Sequence, residues 1–216
     1  MKKTLTLFAL LFALTAALVS CGGGDKAPEG GQDEAVQNNI VMDNLMAAFQ
    51  GESNAANKYK MFAEAADKEG YKQVAVLFRA ASKAEEIHAN NHLEVIKKMG
   101  GDATANLETV DVKTTEENLQ AAIDGETYEF ETMYPEFIEN AKKERNTDAM
   151  RTFNYATTVE KDHAKLYQEA LTDLANQKVI SHSFWVCPVC GETFKEAQNA
   201  PCPICATSNE EFIEIK

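Results

Sequence analysis

The sequence predicts an all-α protein: a four-helix bundle, followed by a small metal-binding module at the C-terminal end. Two observations support this fold class. Between residues 39 and 176, apolar side chains recur every three or four positions, strand-like alternation is absent, and the only proline is Pro135. After this region, the last 33 residues carry four cysteines in two closely spaced pairs. A chain of 216 residues has room for one domain of medium size and one small module.

Four long helices account for the apolar pattern. The predicted segments are 39–68, 71–99, 115–143 and 146–176. Gly70 separates the first two helices, Gly100-Gly101 ends the second, and Asn146-Thr147-Asp148 separates the last two. These residue types end or cap helices more readily than they continue them. Long helices with mostly short connections are typical of a bundle.

Each predicted helix presents an apolar stripe to the core, and acidic or imidazole side chains interrupt the middle of every stripe. The interrupting residues are Glu52 on the first helix, Glu85, His88 and His92 on the second, Glu126 and Glu129 on the third, and Glu160 and His163 on the fourth. Burying several carboxylates without compensation costs several kcal/mol each. Cations between the helices supply that compensation, so the pattern favours a metal centre over acidic faces exposed to solvent.

The spacing of these residues indicates which metals are bound. Two helices carry a Glu-x-x-His motif, which places both side chains on one helix face, and the other two helices each add a glutamate. The motifs are Glu85-x-x-His88 and Glu160-x-x-His163, the added residues are Glu52 and Glu126, and Glu129 is a further carboxylate. This is the ligand arrangement of ferritin-like di-iron and di-manganese bundles. Oxygen-rich ligation with a few imidazoles suits iron or manganese.

The C-terminal cysteines form two Cys-x-x-Cys pairs. The pairs are Cys187-Pro-Val-Cys190 and Cys202-Pro-Ile-Cys205, with eleven residues between them. Four thiolates on two tight turns make a tetrahedral site for iron or zinc. A module of about 33 residues has too little core to fold alone, so the metal would stabilise it. Structural zinc and, in an exported protein, disulfides are the alternatives.

The N-terminus reads as an export signal. Residues 1–20 combine a basic start with an apolar run that is too short to span a bilayer comfortably. The run ends in Leu18-Val19-Ser20-Cys21, which resembles the lipobox of bacterial lipoproteins and implies lipidation at Cys21. Residues 21–38 have the composition of a flexible tether. The interpretation is a membrane-anchored lipoprotein on the periplasmic or cell-surface side, with a plain signal peptide as the alternative.

The charge of the chain narrows its range of partners. The formal net charge is −13 at pH 7. Binding to nucleic acid needs a basic face that neutralises phosphates. We therefore expect no nucleic-acid partner, and attachment to a membrane would come from the lipid, since anionic headgroups repel an acidic surface.

Residues 39–216 resemble the rubrerythrin family. The matching stretches are Gly51-Glu52-Ser53-Asn54-Ala55, Glu85-Glu86-Ile87-His88, Gly125-Glu126-Thr127-Tyr128-Glu129, Met133-Tyr134-Pro135, Glu160-Lys161-Asp162-His163, and Trp185-Val186-Cys187 onward. The order of the two modules also matches. The resemblance implies a ferritin-like di-iron domain at 39–178 and a rubredoxin-like domain at 179–216. It also implies two non-haem iron ions in the bundle and one iron on the four cysteines.

The resemblance further implies an activity and a role for each site residue. The activity is that of a non-haem peroxidase that reduces hydrogen peroxide to water in oxidative-stress defence. The implied roles are Glu85 and Glu160 as bridging ligands, Glu52 on one iron, Glu126 and His163 on the other, and Glu129 and His88 as alternating ligands of one iron. Tyr59 and Tyr128 would be hydrogen-bond donors that orient ligand carboxylates, with plain core aromatics as the alternative.

Partners are also implied by the resemblance. In the family, the rubredoxin-like centre of one chain lies near the di-iron site of another, so a homodimer is expected. An electron-donor protein is required, and the export signal indicates a membrane or periplasmic donor. The alternatives are a ferritin-like iron oxidase or iron-binding protein, and a non-enzymatic scaffold with structural zinc. In the second knuckle, Ala206 stands where free rubredoxins have glycine.

Overall fold

A computed structural model describes residues 39–216. The predicted signal at 1–20, the lipidation site Cys21 and the tether at 21–38 lie outside the described residues. Within the described part of the chain, no helix is both long enough and apolar enough to cross a lipid bilayer.

Five α-helices form the bundle. They are α1 (Ile40–Glu69), α2 (Lys72–Lys98), α3 (Thr115–Tyr128), α4 (Tyr134–Lys143) and α5 (Thr147–Thr172). Three of them, α1, α3 and α5, begin with a side-chain N-cap. The Asn39 side chain accepts from the Met42 amide, Asn146 does the same for Ala149, and Thr114 forms a reciprocal capping box at the start of α3. The four predicted segments are therefore present, with the third divided between α3 and α4.

The division of the third helix differs from the continuous 115–143 helix expected from the sequence. Glu129–Met133 form a π-helical turn between α3 and α4, in which the Tyr134 amide donates to the Glu129 carbonyl. Pro135 follows at the start of α4 and has no N–H to continue the α-helical ladder. The turn therefore inserts one extra residue, a feature that is often found at functional sites.

The apolar core of the bundle consists of two clusters. On α1, on α5 and across α3 and α4, the buried Glu and His residues lie in sequence between members of one cluster and members of the other, and on α2 the same change falls at His88. Along α1, for example, Phe49 belongs to one cluster, Glu52 is buried, and Ala55 belongs to the other. The acidic residues thus form a polar layer across the middle of an otherwise apolar bundle.

The C-terminal module is a small antiparallel sheet. Its strands are β1 (Phe184–Val186), β2 (Thr193–Phe194) and β3 (Ile213–Ile215), in the order β2-β1-β3. Phe184 and Val186 of β1 are buried in the same apolar cluster as residues of α2. The buried Gln73 of α2 holds the preceding linker, because its side chain accepts from the Ser181 amide and donates to the His182 carbonyl. The module therefore packs directly on the bundle.

Both cysteine knuckles turn through a left-handed residue, and only one of them is glycine. The φ angles are +83° at Gly191 and +63° at Ala206. Left-handed geometry costs a residue with a Cβ about 1–2 kcal/mol. Glycine removes this cost but loses more backbone entropy on folding, which offsets part of the gain. We therefore expect Ala206→Gly to raise the free energy of unfolding by about 0.5–1 kcal/mol.

The measurement is chemical denaturation of the metal-loaded protein, followed at the cysteine–metal absorption band. Ala121→Gly is the control, because Ala121 is exposed and helical. It should lower the free energy of unfolding by about 1 kcal/mol. Equal losses in both variants would contradict the assigned knuckle geometry.

Candidate metal centre

Two groups of four buried ligands meet in the polar layer of the bundle. One contains Glu52, Glu85, His88 and Glu160, and the other contains Glu85, Glu126, Glu160 and His163. Within each group, the ligand atoms all lie within 4.8 Å of one another. Glu85 and Glu160 belong to both groups, so their carboxylates are placed to bridge two metal ions. All six residues are at most 1% exposed.

The carboxylate oxygens show that the site fits cations. Each of the four glutamates has one buried oxygen without a hydrogen-bond partner: Glu52 Oε2, Glu85 Oε1, Glu126 Oε2 and Glu160 Oε1. Unpartnered buried oxygens are costly in a folded protein. Burial, followed by repulsion from neighbouring carboxylates, raises the pKa of Glu52 and of Glu126 well above the usual range. Two metal ions would satisfy the four oxygens and favour the ionised carboxylates.

The two ligand histidines point Nδ1 into this site. His88 Nδ1 lies 2.8 Å from Glu160 Oε1 and 2.9 Å from Glu85 Oε2. His163 Nδ1 lies 3.1 Å from Glu160 Oε2 and 3.2 Å from Glu85 Oε1. Each histidine stands three residues after a bridging glutamate, which keeps both side chains on the same helix face. Nδ1 is therefore the atom of each ring that would bind a metal ion in this site.

The outer nitrogens of the same rings contact the C-terminal module. His88 Nε2 lies 3.0 Å from the Cys190 carbonyl, and His163 Nε2 lies 3.1 Å from Thr193 Oγ1. A carbonyl can only accept, and the Thr193 hydroxyl already donates to the Gly191 carbonyl. In both neutral rings Nε2 must then carry the hydrogen, which leaves the Nδ1 lone pair free for metal. The module thus fixes the binding tautomer of both histidines.

Glu129 stands beside the ligand groups without joining either of them. It opens the π-helical turn and is only partly buried. Burial and the carboxylates of Glu160 and Glu85 raise its pKa to about 8, and Lys58 and His88 oppose the shift. In this structure His88, and not Glu129, faces the Glu52 position. Alternation between the two as ligands remains a prediction.

The tyrosines require one correction. Tyr59 is buried, and its hydroxyl donates to Glu126 Oε1 at 2.6 Å, which fits the predicted orienting role. Tyr128 does not reach the site, because it lies two residues after Glu126 on the opposite side of the helix and is 58% exposed. Tyr134 orients a ligand carboxylate instead, since its buried hydroxyl donates to Glu52 Oε1.

Regular helical spacing does not place Tyr134 at the site, because the π-helical turn alters the helical register. Tyr134 is eight residues after Glu126. In a regular α-helix, at about 100° per residue, that spacing would place the two side chains about 80° apart around the helix axis. The extra residue in the turn makes the spacing equivalent to seven, or about two full turns. Tyr134 thereby points to the same side as Glu126. The Met133-Tyr134-Pro135 stretch, with proline just after the turn, is the sequence signal that could have revealed it.

The four cysteines converge as predicted. Their Sγ atoms form one group, with Cys187–Cys205 and Cys190–Cys202 separations of 3.5 Å. A disulfide is about 2.05 Å long. Thiolates about 2.3 Å from one tetrahedral ion would lie about 3.8 Å apart. The geometry therefore matches a metal knuckle, and all four cysteines are free.

The knuckle lies against the ligand histidines of its own chain. Besides the Cys190 and Thr193 contacts, the Asn91 side chain of α2 donates to the Val189 carbonyl at 2.8 Å. The family resemblance implied that the module would meet the bundle of another chain. Within residues 39–216, one chain already brings both metal sites together.

Comparison with known proteins identifies the family. The rubrerythrin family model matches residues 43–171. Rubrerythrin-2 of Clostridium acetobutylicum is 37% identical over 180 residues, which covers 82% of this chain and 98% of that protein. Nigerythrin of Nitratidesulfovibrio vulgaris is 35% identical and covers 80% of this chain and 85% of its own.

Solved structures agree with this assignment. Nigerythrin in a mixed-valence state superposes with a TM-score of 0.76 at 33% identity, covering 85% of this chain and 90% of that one. The bacterioferritin BfrA of Mycobacterium tuberculosis shares the bundle fold alone. It is 20% identical, the match covers 62% of this chain and 86% of that one, and the TM-score is 0.58. The chain therefore belongs to the rubrerythrin family, which binds a di-iron site, and it carries both a Glu/His cluster and a four-cysteine knuckle.

Proposed function

We propose that this protein reduces hydrogen peroxide to water in oxidative-stress defence and receives its electrons through the four-cysteine site. The observation that carries the proposal is the hydrogen bond between His88 Nε2 and the Cys190 carbonyl. It joins a ligand of the di-iron group directly to a ligand residue of the knuckle.

The reaction needs two electrons and two protons for each peroxide. When bound, two ferrous ions supply the electrons that cleave the O–O bond, and a four-cysteine iron can return them one at a time. The chain's residues hold this centre in shape. Tyr59 and Tyr134 orient one carboxylate each, and the module holds both histidines in the metal-binding tautomer.

A cavity lies beside α1 and α3 and reaches Glu129. It has a volume of about 550 Å³, and Asn54, Lys58 and Glu129 are among its lining residues. Glu129 is the carboxylate that stands next to the ligand groups. We propose that peroxide enters here, and that Glu129 and His88 alternate as ligands of the Glu52 position as the redox state changes.

Zinc in place of the knuckle iron separates peroxide chemistry from electron supply. Zinc has no redox chemistry, but it keeps the four-cysteine geometry and with it the contact between Cys190 and His88. We expect the chemically reduced, zinc-substituted protein to oxidise its di-iron site with peroxide once, at the wild-type rate in stopped-flow absorption, because the bundle ligands and their supports are intact. Continuous turnover with an external donor should fall by more than tenfold. A Glu85→Ala, His163→Ala variant is the control and should lose the first oxidation as well.

Two outcomes would contradict the proposal. If peroxide oxidises the reduced wild-type protein no faster than it oxidises the Glu85→Ala, His163→Ala control, the peroxidase assignment fails. If the protein with zinc in the knuckle turns over at the wild-type rate, the electrons do not pass through the knuckle. We also propose that the protein is a homodimer. Size-exclusion chromatography with light scattering measures the assembly, and a large hollow shell would favour iron storage instead.

We also propose a lipid anchor at Cys21, which places the protein on the periplasmic or cell-surface side with an electron-donor protein of that compartment. The support is the sequence Leu18-Val19-Ser20-Cys21. Cys21→Ala should move the protein from the membrane fraction to the soluble fraction. Ser20→Ala, which retains the cysteine, is the control and should stay with the membrane. Membrane association that survives the loss of Cys21 would contradict the anchor.

A further inference from the structure

Tyr134 is linked to two further buried polar residues behind the Glu52 ligand. His92 Nε2 lies 3.1 Å from the Tyr134 hydroxyl, and Thr152 Oγ1 lies 3.0 Å from His92 Nδ1. His92 is 0% exposed and Thr152 is 6% exposed. Neither residue belongs to the ligand groups, so the site described above gives them no role. Buried polar groups at apolar-stripe positions call for an explanation.

The direction of each hydrogen bond follows from its partner. A metal-bound Glu52 carboxylate can only accept, so the single Tyr134 hydroxyl hydrogen goes to Glu52. The Tyr134 oxygen must then accept from His92 Nε2–H. This leaves His92 Nδ1 without a hydrogen, and it accepts from the Thr152 hydroxyl. The three bonds form one chain in which every hydrogen points toward Glu52.

The other half of the bundle lacks this arrangement. Tyr59 orients Glu126 just as Tyr134 orients Glu52, but its ring is packed among Phe78 and Tyr167, at centroid distances of 5.9 and 5.6 Å. No imidazole stands behind it within the described residues. The two metal positions therefore share bridging glutamates and differ in how their terminal glutamates are supported.

We propose that His92 and Thr152 are positioning residues, which act through Tyr134 to hold Glu52 in the orientation that its iron position needs. A hydrogen bond received by the Tyr134 oxygen polarises the hydroxyl and strengthens its bond to the carboxylate. It also prevents the hydroxyl from rotating away. Burial lowers the pKa of His92 to about 3, so the ring stays neutral.

This role adds a structural detail to the proposed di-iron function, and its test measures metal binding alone. The test is an anaerobic titration of the full chain with Fe²⁺ against a competing chelator, with the cysteine site already loaded. Thr152→Val keeps the shape of the side chain and removes the donor. We expect it, like His92→Leu, to weaken the binding of one of the two bundle ions by about tenfold or more. The other ion should bind as in the wild type, and Thr152→Ser should restore both.

Double variants identify the ion concerned. Adding Thr152→Val to Glu52→Gln should cause no further loss, because the carboxylate it positions is already gone. Adding Thr152→Val to Glu126→Gln should weaken iron binding as much as Thr152→Val does in the wild-type protein. Helical circular dichroism monitors folding, and if His92→Leu fails to fold, the Thr152→Val and Thr152→Ser pair decides.

Three results would overturn the proposal: unchanged affinities in Thr152→Val, equal weakening of both ions, or a further loss in the Glu52→Gln background. No peroxide is used, so a failure of the proposed peroxidase activity would leave these outcomes unchanged.

Discussion

Gly191→Ala should disrupt the contact between the two metal sites. A Cβ added at Gly191 would lie 2.5 Å from His88 Nε2 and 3.3 Å from the Ala84 carbonyl oxygen. Because the buried His88 ring is held by its other contacts and the Ala84 oxygen is backbone, the knuckle must move away from α2, and the His88–Cys190 hydrogen bond is lost. Loss of a partner that orients a metal-bound histidine typically costs 10–100-fold in affinity or activity. We expect peroxide turnover to fall by that factor in a steady-state assay.

Gly70→Ala is a matched control for this substitution. Gly70 has a φ of +86°, against +83° for Gly191, but a Cβ there would meet no atom within 4 Å. Both variants pay the same backbone cost, of about 1–2 kcal/mol. Gly70→Ala should therefore lower stability and leave turnover intact. Equal turnover in the two variants would show that the knuckle contact is not needed for activity.

Glu126→Gln should have opposite effects on stability with and without metal. In the metal-free protein the buried Glu126 carboxyl has a raised pKa and stays protonated where the unfolded chain has ionised. The folded state then binds more protons than the unfolded state, so stability falls as the pH rises above about 4.5. The slope is about 1.4 kcal/mol per pH unit for each such carboxyl. The variant removes one of these carboxyls, and its metal-free form should be more stable at pH 7.

With metal bound the sign reverses, because the variant has lost a negatively charged ligand. Chemical denaturation between pH 5 and 8, with and without Fe²⁺, measures both effects. Glu86→Gln is the control: Glu86 is an exposed partner of Lys83, and such surface pairs contribute about 0–1 kcal/mol. A metal-free Glu126→Gln that is no more stable than the wild type at pH 7 would contradict the buried, mutually repelling carboxylates described above.

The features that could be predicted from sequence are those that depend on a regular helical period. Glu85 and His88 share a face because three residues separate them, and the same holds for Glu160 and His163. Their steps of three and four along apolar stripes placed both motifs in the core, where the structure has them. The cysteine knuckles were predictable for the same reason, since a two-residue spacing allows both thiolates of a pair to reach one ion.

The parts that could not be predicted depend on departures from that period or on tertiary packing. Tyr134 replaces Tyr128 as an orienting donor because a π-helical turn shifts the register by one residue. The chain through His92 and Thr152 joins residues on different helices, and sequence spacing does not show which residues meet across a bundle. The position of the knuckle on its own bundle likewise rests on tertiary contacts such as those of Gln73.

We expect one chain to hold a di-iron site and a four-cysteine iron site in contact. Iron and zinc content per chain, measured with a visible spectrum on protein purified anaerobically from its native host, tests it most directly. The two ligand groups and the one knuckle predict about three iron ions per chain and a coloured protein. A colourless protein that contains zinc and no iron would contradict the account.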